Sequence, residues 1–343
     1  MCQEMKTTLF LCFLTTVSAT FLVPGVTFGP NYTANSPVAP NLESWIAANM
    51  KELQERRAND VADALFSGTV LDYVLVNAEE RGFKLIVVKK NRTGDFEKVT
   101  AAVDSIPLRN MQRVVIWISG GYYFEKFTIT RTKNFVTLFG DPLDMPKIVF
   151  NGTAAEFGTL NSATVAMNSD YFVAVNIAFM NSAPMPDCWK ALAQAVAMRI
   201  SGNKAAFHNC KFIGFQDTLY NDRGMHFSKT ATLKAPLISS SETANLFICG
   251  FTFLYCNITG SGNGTTYLGR AWRQRTRVII AFTYMGNIVH TEGWSTNKHP
   301  ERSKTVYYGE YKCMGPGVSS TGRVGFARIL SEVEARRLDL FRA

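Results

Sequence analysis

The residues in this chain whose types and spacing could do chemistry are polar side chains set in apolar, β-rich surroundings. Gln194 opens the run Gln194-Ala-Val-Ala-Met-Arg-Ile200, and 22 residues later Gly214-Phe-Gln-Asp-Thr-Leu-Tyr220 places Gln216 and Asp217 at the end of another. Further on, Tyr267-Leu-Gly-Arg-Ala-Trp-Arg273 sets Arg270 and Trp272 beside a glycine. A carboxyl, two amides, a guanidinium and an indole together suit hydrolysis of an ester on an acidic sugar. The amides hold the oxyanion of the tetrahedral intermediate, the guanidinium orients a carboxylate, and the indole stacks on the sugar ring. Each residue also has an ordinary use, since Asn and Gln form ladders inside stacked β structure and an Asp before Thr caps turns.

Other chemistries lack their parts. The chain has no phosphate loop, no GxSxG elbow and no His-Glu-x-x-His site, and only 4 histidines. With no CxxC pair and no Cys/His cluster, a structural zinc site is not expected. No carboxylate cluster marks a calcium site, which argues against a calcium-dependent lyase. The net charge of +9 implies affinity for polyanions, whether nucleic acid, an anionic membrane or an acidic polysaccharide.

The N-terminus narrows that choice. An uncharged run with its apolar heart at Leu9–Val23 contains Val17-Ser18-Ala19, a small-residue cleavage site, so residues 1–19 read as a signal peptide. A membrane anchor is the alternative; four hydroxyl residues and the break at Pro24-Gly25 weaken it. Sequons at Asn31, Asn91, Asn151, Asn257 and Asn263 agree with export and are the candidate glycosylation sites. Five cysteines remain after cleavage (Cys188, Cys210, Cys249, Cys256 and Cys313), enough for at most two disulfides and a spare thiol. A basic secreted protein points to an extracellular polyanion rather than nucleic acid.

The elements that must position the polar set are short strands. Residues 20–83 form a leader and an N-terminal capping helix over Asn41–Arg57, with Leu42, Trp45, Ile46, Met50 and Leu53 on one face. From residue 84 to 343 the pattern turns to β-rich runs: Lys84–Val88, Val114–Ile118, Phe135–Phe139, Thr164–Met167, Phe172–Met180, Ala205–Phe212, Val278–Met285 and Val306–Tyr311. No helical pattern alternates with them, so a doubly wound α/β sheet is disfavoured. Their shared cadence of apolar strand, Asn, short strand and turn predicts an all-β parallel β-helix solenoid, in which each coil stacks on the last. A β-sandwich is the alternative, but its hairpin turn signals are scarce. Ser331–Arg337 reads as a terminal capping helix.

The chain resembles the plant pectin methylesterases, or pectinesterases. The likeness runs from about Trp45 to the Ser331 region, through Gly94–Val103, Gly121-Tyr-Tyr-Phe-Glu125, Gly152–Gly158, Gln194-Ala-Val-Ala197, Gly214–Tyr220, Leu268-Gly-Arg-Ala-Trp272, Glu292-Gly-Trp-Ser295, Tyr308-Gly-Glu-Tyr311 and Gly315-Pro-Gly317. The resemblance implies a right-handed parallel β-helix that demethylates homogalacturonan (pectin) without a metal or cofactor. It makes Gln194 and Gln216 the oxyanion-stabilising amides, Asp217 the general acid/base, Arg270 the holder of the catalytic carboxylate and Trp272 a lining of the substrate groove. Its implied setting is the plant cell wall, as a monomer with pectin as partner, room for a protein inhibitor, and neither nucleic acid nor stable membrane insertion.

One part of the family pattern is absent. Its mechanism uses a nucleophilic aspartate one rung after the Gln-Asp-Thr motif, and the chain carries no aspartate between Lys229 and Phe251. The best alignment makes Gly250-Phe-Thr-Phe-Leu-Tyr-Cys256 a later strand of the family, so that roughly one rung, on the order of 20–30 residues, is missing after Lys229. Loss of a whole number of rungs keeps a solenoid in register; any other loss turns its faces out of phase. Without a nucleophile, the rival expectation is a non-catalytic pectin-binding homologue.

Overall fold

A computed structural model describes residues 83–184, 192–234, 238–240, 249–272, 274–338 and 340, all in the compact unit Leu75–Ala343. The signal peptide 1–19, the helix at Asn41–Arg57, the sequon at Asn31 and Cys188 lie outside the described residues.

The strands wind as a parallel β-helix. Among the described residues seven coils each contribute one strand to each of three sheets, three further strands extend the long sheet, and the pairings between these strands are parallel. The long sheet has ten strands from Phe83–Val88 to Ala327–Ile329. A second, the groove sheet, has seven from Phe127–Ile129 to Trp294–Ser295, and a third has seven from Tyr122–Phe124 to Tyr284–Met285. The period-2 alternation of the long strands gives the reason for the stacking. One inward column runs Ile86, Ile116, Leu138, Ala174, Phe207, Ser228, Phe253, Ile280 and Glu310, each opposite the next. All of these side chains are buried. Phenylalanines fill the space between the sheets, with Phe251 and Phe253 stacked at 4.2 Å and Phe207 edge-on to Phe212 at 5.3 Å. Among the described residues no helix is long and apolar enough to cross a membrane.

The asparagine in the sequence cadence is the corner of two successive coils, and Thr230, Tyr255 and Phe282 take the same left-handed corner in later ones. Asn176 and Asn209 turn the chain from the long sheet to the third sheet with φ of 56° and 47°, a left-handed conformation that Asn tolerates better than most residues. Asn209 Nδ2 donates to Asn176 Oδ1 (2.8 Å), and Asn176 Nδ2 to the Gly140 carbonyl (2.9 Å), so the corners also form a ladder. The run Phe172–Met180 divides at Asn176, as the cadence of strand, Asn and short strand predicts, into Val173–Val175 and Ala178–Asn181.

On both sides of the segment after Lys229, where a rung was expected to be missing, the described strands keep the coil order. Gly224–Lys229, Thr232–Lys234 and Ile238–Ser240 make one coil, and Cys249–Leu254, Asn257–Thr259 and Gly269–Arg270 the next. Ile238–Ser240 pairs with Leu219–Asn221 below it and with Arg270 above. The three sheets thus stay in phase, as they do when contacts are nearest-neighbour and the coils are whole.

Helices close the described part of the solenoid. Val99–Asp104 buries Val99, Ala102 and Val103, and its first N–H groups are taken by Glu125, which accepts from Val99 N (3.1 Å) and Thr100 N (2.7 Å). At the other end Glu332–Arg337 is capped by a reciprocal pair. Ser331 Oγ accepts from Glu334 N (3.3 Å), and Glu334 Oε2 accepts from Ser331 N (2.8 Å). This end buries an apolar patch on the outside of the long sheet that includes Leu254, Ile279, Ala281 and Tyr311.

Candidate active site

The floor of the site is the outward face of the groove sheet. Because successive residues of a strand point to opposite faces, the middle residues of its three-residue strands form one outward column. That column runs Thr128, Ala166, Arg199 and Tyr220 in successive coils and, beyond the strand Ile238–Ser240, Arg270 and Ser295. Two coils separate Tyr220 from Arg270, about 10 Å at the usual strand spacing.

A cleft of about 360 Å3 opens beside this column, lined by Gln194, Asp217, Tyr220, Trp272 and the loop Gly158–Asn161. Gln194 reaches it from the segment leading into Met198–Ile200 rather than from a strand. Its carbonyl accepts from Ala154 N (2.8 Å), while the next residue, Ala195, donates its N–H to the Gln216 carbonyl (3.0 Å). These bonds set the Gln194 segment against the Gln216-Asp217 segment one coil later. Asp217 is buried at 6% exposure and left-handed, with φ of 54°. This conformation, sparsely populated outside glycine, is of the kind held at functional sites by surrounding structure. Gln194 Oε1 and Trp272 Nε1 are both buried without a hydrogen-bond partner. Buried polar atoms left open in a cleft are capacity that a ligand can use.

Trp272 is held from the following coil. Ala271 N donates to the Ser295 carbonyl (2.8 Å), and the Ala271 carbonyl accepts from Arg302 Nη1 (2.7 Å). Beneath this strand lies the fully buried Trp294, so close that a Cβ on Gly269 would be 3.1 Å from its ring. The Trp294 indole N–H donates to Glu310 Oε1 (2.9 Å), and Glu310 is gripped bidentately by Arg323 at 2.8 and 3.0 Å. Glu310 is the only charged residue of the inward column, and Arg323 neutralises it.

The structure therefore brings Gln194, Asp217 and Trp272 to one cleft. Gln216 is half-buried next to them and joins through its backbone, and it is not among the lining residues. Arg270 stands on the groove floor with its guanidinium 5.8 Å from the Tyr267 ring centre, and Tyr267 OH donates to Glu292 Oε2 (3.1 Å). Asp217 is the sole carboxylate among the described residues that line the cleft. Sequence reasoning passed over Tyr220 and Arg199. Their signal was the outward column itself, a polar or aromatic residue mid-strand in successive coils with Ala166 the exception. Burial lowers the Arg199 pKa from its usual range, opposed by Asp222 and Tyr220. Among the described residues no group of three or more His, Cys, Asp or Glu side chains could hold a metal ion.

Three parallel sheets stacked coil on coil, with an aromatic, amide and carboxyl cleft on one outer face, define a parallel β-helix protein with a candidate active site. The pectinesterase family model matches residues 85–237 and 240–341, and the chain belongs to that family. An Arabidopsis thaliana protein numbered among the pectinesterases is 42% identical over 275 residues, 73% of this chain and 81% of its own. Pectinesterase 2 of Olea europaea is 37% identical over 333 residues, covering 88% of this chain and 87% of its own. Among solved structures, the pectin methylesterase from carrot is similar with a TM-score of 0.61 and 25% identity, over 73% of this chain and 89% of that one. The break in the family match at 238–239 falls within Ile238–Ser240, the strand stacked directly on Leu219–Asn221.

Proposed function

We propose that this protein is secreted to the plant cell wall and hydrolyses methyl esters of homogalacturonan, releasing methanol, in the cleft that holds Gln194, Asp217 and Trp272. The observation that carries the reading is the convergence of a buried carboxyl with an amide and an indole that have open polar atoms. Trp272 stacks on a sugar ring and positions one ester-bearing unit. With Asp217 the one carboxyl among the described residues that line the cleft, water is the attacking group. Asp217 takes a proton from that water as its oxygen adds to the ester carbon, and the Gln194 amide N–H donates to the negative oxygen, joined by the Gln216 amide once its side chain turns in from beside the cleft. The bond to the methoxy oxygen then breaks, Asp217 returns the proton to the leaving methoxide, and methanol and a galacturonic acid remain; the acid gives its own proton to solvent and becomes the carboxylate. Arg270, on the groove floor, attracts that carboxylate. No covalent intermediate is formed, so turnover is slower than with an aspartate nucleophile.

Residues 1–19 are then the signal peptide, 20–83 the leader and N-terminal cap, and 84–343 the catalytic solenoid. The exposed asparagines Asn91, Asn151, Asn257 and Asn263, with Asn31, are its glycosylation sites. The net charge of +9 favours retention on demethylated, anionic pectin.

A second reading has its own observation: the coil stacked on Leu219–Asn221 offers Ile238, Ser239 and Ser240, with no carboxylate among them. On that reading the chain binds pectin and does not turn it over. Methanol release from highly methyl-esterified pectin by the purified secreted protein separates the two. Steady release supports hydrolysis; none from a folded protein retained on pectin overturns it in favour of binding.

A further inference from the structure

A second cavity of about 360 Å3 lies at the far ends of the groove-sheet strands, lined by Arg131, Asn168, Asp170, Asn203 and Arg223 among others. Part of its lining is bare backbone. A Cβ on Gly202 would lie 1.8 Å from the Ser169 carbonyl oxygen, and one on Gly224, at φ +92°, would lie 2.5 Å from the Gly202 oxygen. Side chains are excluded at both positions and the cavity stays open.

Bonds already made decide what the walls can still bind. Asn168 Oδ1 accepts from Arg199 Nη2 (3.2 Å), and Asn203 Oδ1 accepts from the backbone N–H of Lys204 (2.9 Å) and Met225 (3.0 Å). Both amides have spent their oxygens and keep their NH2 groups to donate. Arg223 Nε donates to the Ser201 carbonyl, which anchors the guanidinium, and its two Nη groups have no partner among the described residues. Arg131 is exposed and likewise makes no hydrogen bond or ion pair among them. Asp170 is the one carboxylate in the lining, with Oδ1 already accepting from Asn203 N (2.7 Å). The remaining capacity is donor-rich, with two guanidiniums against one carboxylate. That is the chemistry of a carboxylate receptor.

Arg199 is the partition between the two cavities. Its Nη1 lies 3.5 Å from the carbonyl oxygen of Leu160, which lines the cleft, while its Nη2 holds Asn168, which lines the second cavity. A polymer passing over Arg199 reaches both. We propose that the Arg131–Arg223 cavity binds the free carboxylate of an unesterified galacturonate unit of the same chain whose ester-bearing unit sits in the cleft. The protein thereby selects partly demethylated pectin; this rests on the homogalacturonan reading above.

The test is calorimetric binding of two galacturonate hexamers to the purified protein at fixed low salt, one fully methyl-esterified and one with half its units free acids. Wild type is expected to prefer the half-free hexamer. Arg131→Gln, at an exposed position, and Arg223→Gln are each expected to weaken that hexamer about tenfold, as for one lost charge-assisted hydrogen bond, and to leave the esterified hexamer unchanged. An unchanged preference in both variants, or an equal loss for both hexamers, overturns the proposal. Binding of neither hexamer by wild type overturns the homogalacturonan reading itself, and the proposal with it.

Discussion

Replacing Arg323 with methionine tests how the C-terminal coils hold the site. Arg323 and Glu310 are 4% and 3% exposed at their side chains, and the guanidinium makes both carboxylate bonds. The remaining guanidinium N–H groups donate to the carbonyls of His290 (3.1 Å), Thr291 (3.0 Å) and Gly317 (2.8 Å). Arg323→Met leaves Glu310 as a buried carboxylate whose surviving donor is the Trp294 indole. Breaking one partner of such a pair costs about 3–5 kcal/mol. In a domain of this size that lowers the melting temperature by roughly 10 °C. Replacing both partners, as Glu310→Leu with Arg323→Met, removes the stranded charge and should recover about 2 kcal/mol or more of that loss. Urea unfolding of the wild type, Arg323→Met, Glu310→Leu and the double variant, followed by tryptophan fluorescence, measures this, since Trp294 stacks on Tyr308 at 4.5 Å within the same cluster. A single variant destabilised by less than about 1 kcal/mol, or a double variant as unstable as the sum of its parts, would refute the reasoning.

Two other consequences follow from burial. His226 has Nδ1 accepting from Ala205 N (3.3 Å) and Nε2 on the Arg223 carbonyl (2.7 Å), and burial pushes its pKa from 6.5 down to about 3. The unfolded imidazole takes up a proton first, so the stabilisation is present above pH 6.5 and is lost as pH falls from 6.5 towards 3. By pH 4.5 the loss is about 2–3 kcal/mol, and His226→Gln, which cannot be protonated, should flatten that part of the urea-midpoint profile against pH. Cys210, Cys256 and Cys313 are free thiols, and burial raises their pKa to about 12, 12 and 11. In a Cys188→Ser, Cys249→Ser background, a thiol reagent at pH 8 should label none of the three before unfolding and all three after; labelling of the native protein would contradict their burial.

The long-sheet strands were legible because five or six residues rich in β-branched and aromatic side chains stand out as a run, as in Arg113–Ile118 and Thr276–Ala281. Groove-sheet strands such as Gly269–Arg270 and Trp294–Ser295 are two residues long and have no period of their own. Their neighbours define them. The run from Gln194 to Ile200 looked like one strand, yet only Met198–Ile200 is. The preceding residues are held by bonds to Ala154 and Gln216 from other coils, which no local pattern reveals. The helix Val99–Asp104 went unread because its six residues fall short of two turns. In the site, Gln194 and Asp217 were recognisable as polar residues in apolar context, one coil apart. The Glu310–Arg323 pair was not, because Arg323 comes from an irregular loop whose position depends on the whole stack.

Asp217→Asn tests the account at its centre. The measurement is methanol release from highly methyl-esterified pectin by the variant and the wild type, alongside their retention on the same polymer. The amide cannot shuttle the proton between water and methoxide, so release should fall by about 100-fold or more while retention is unchanged. Release by the variant at the wild-type rate would mean that the chemistry happens elsewhere, and that Asp217 is not the acid/base of this protein.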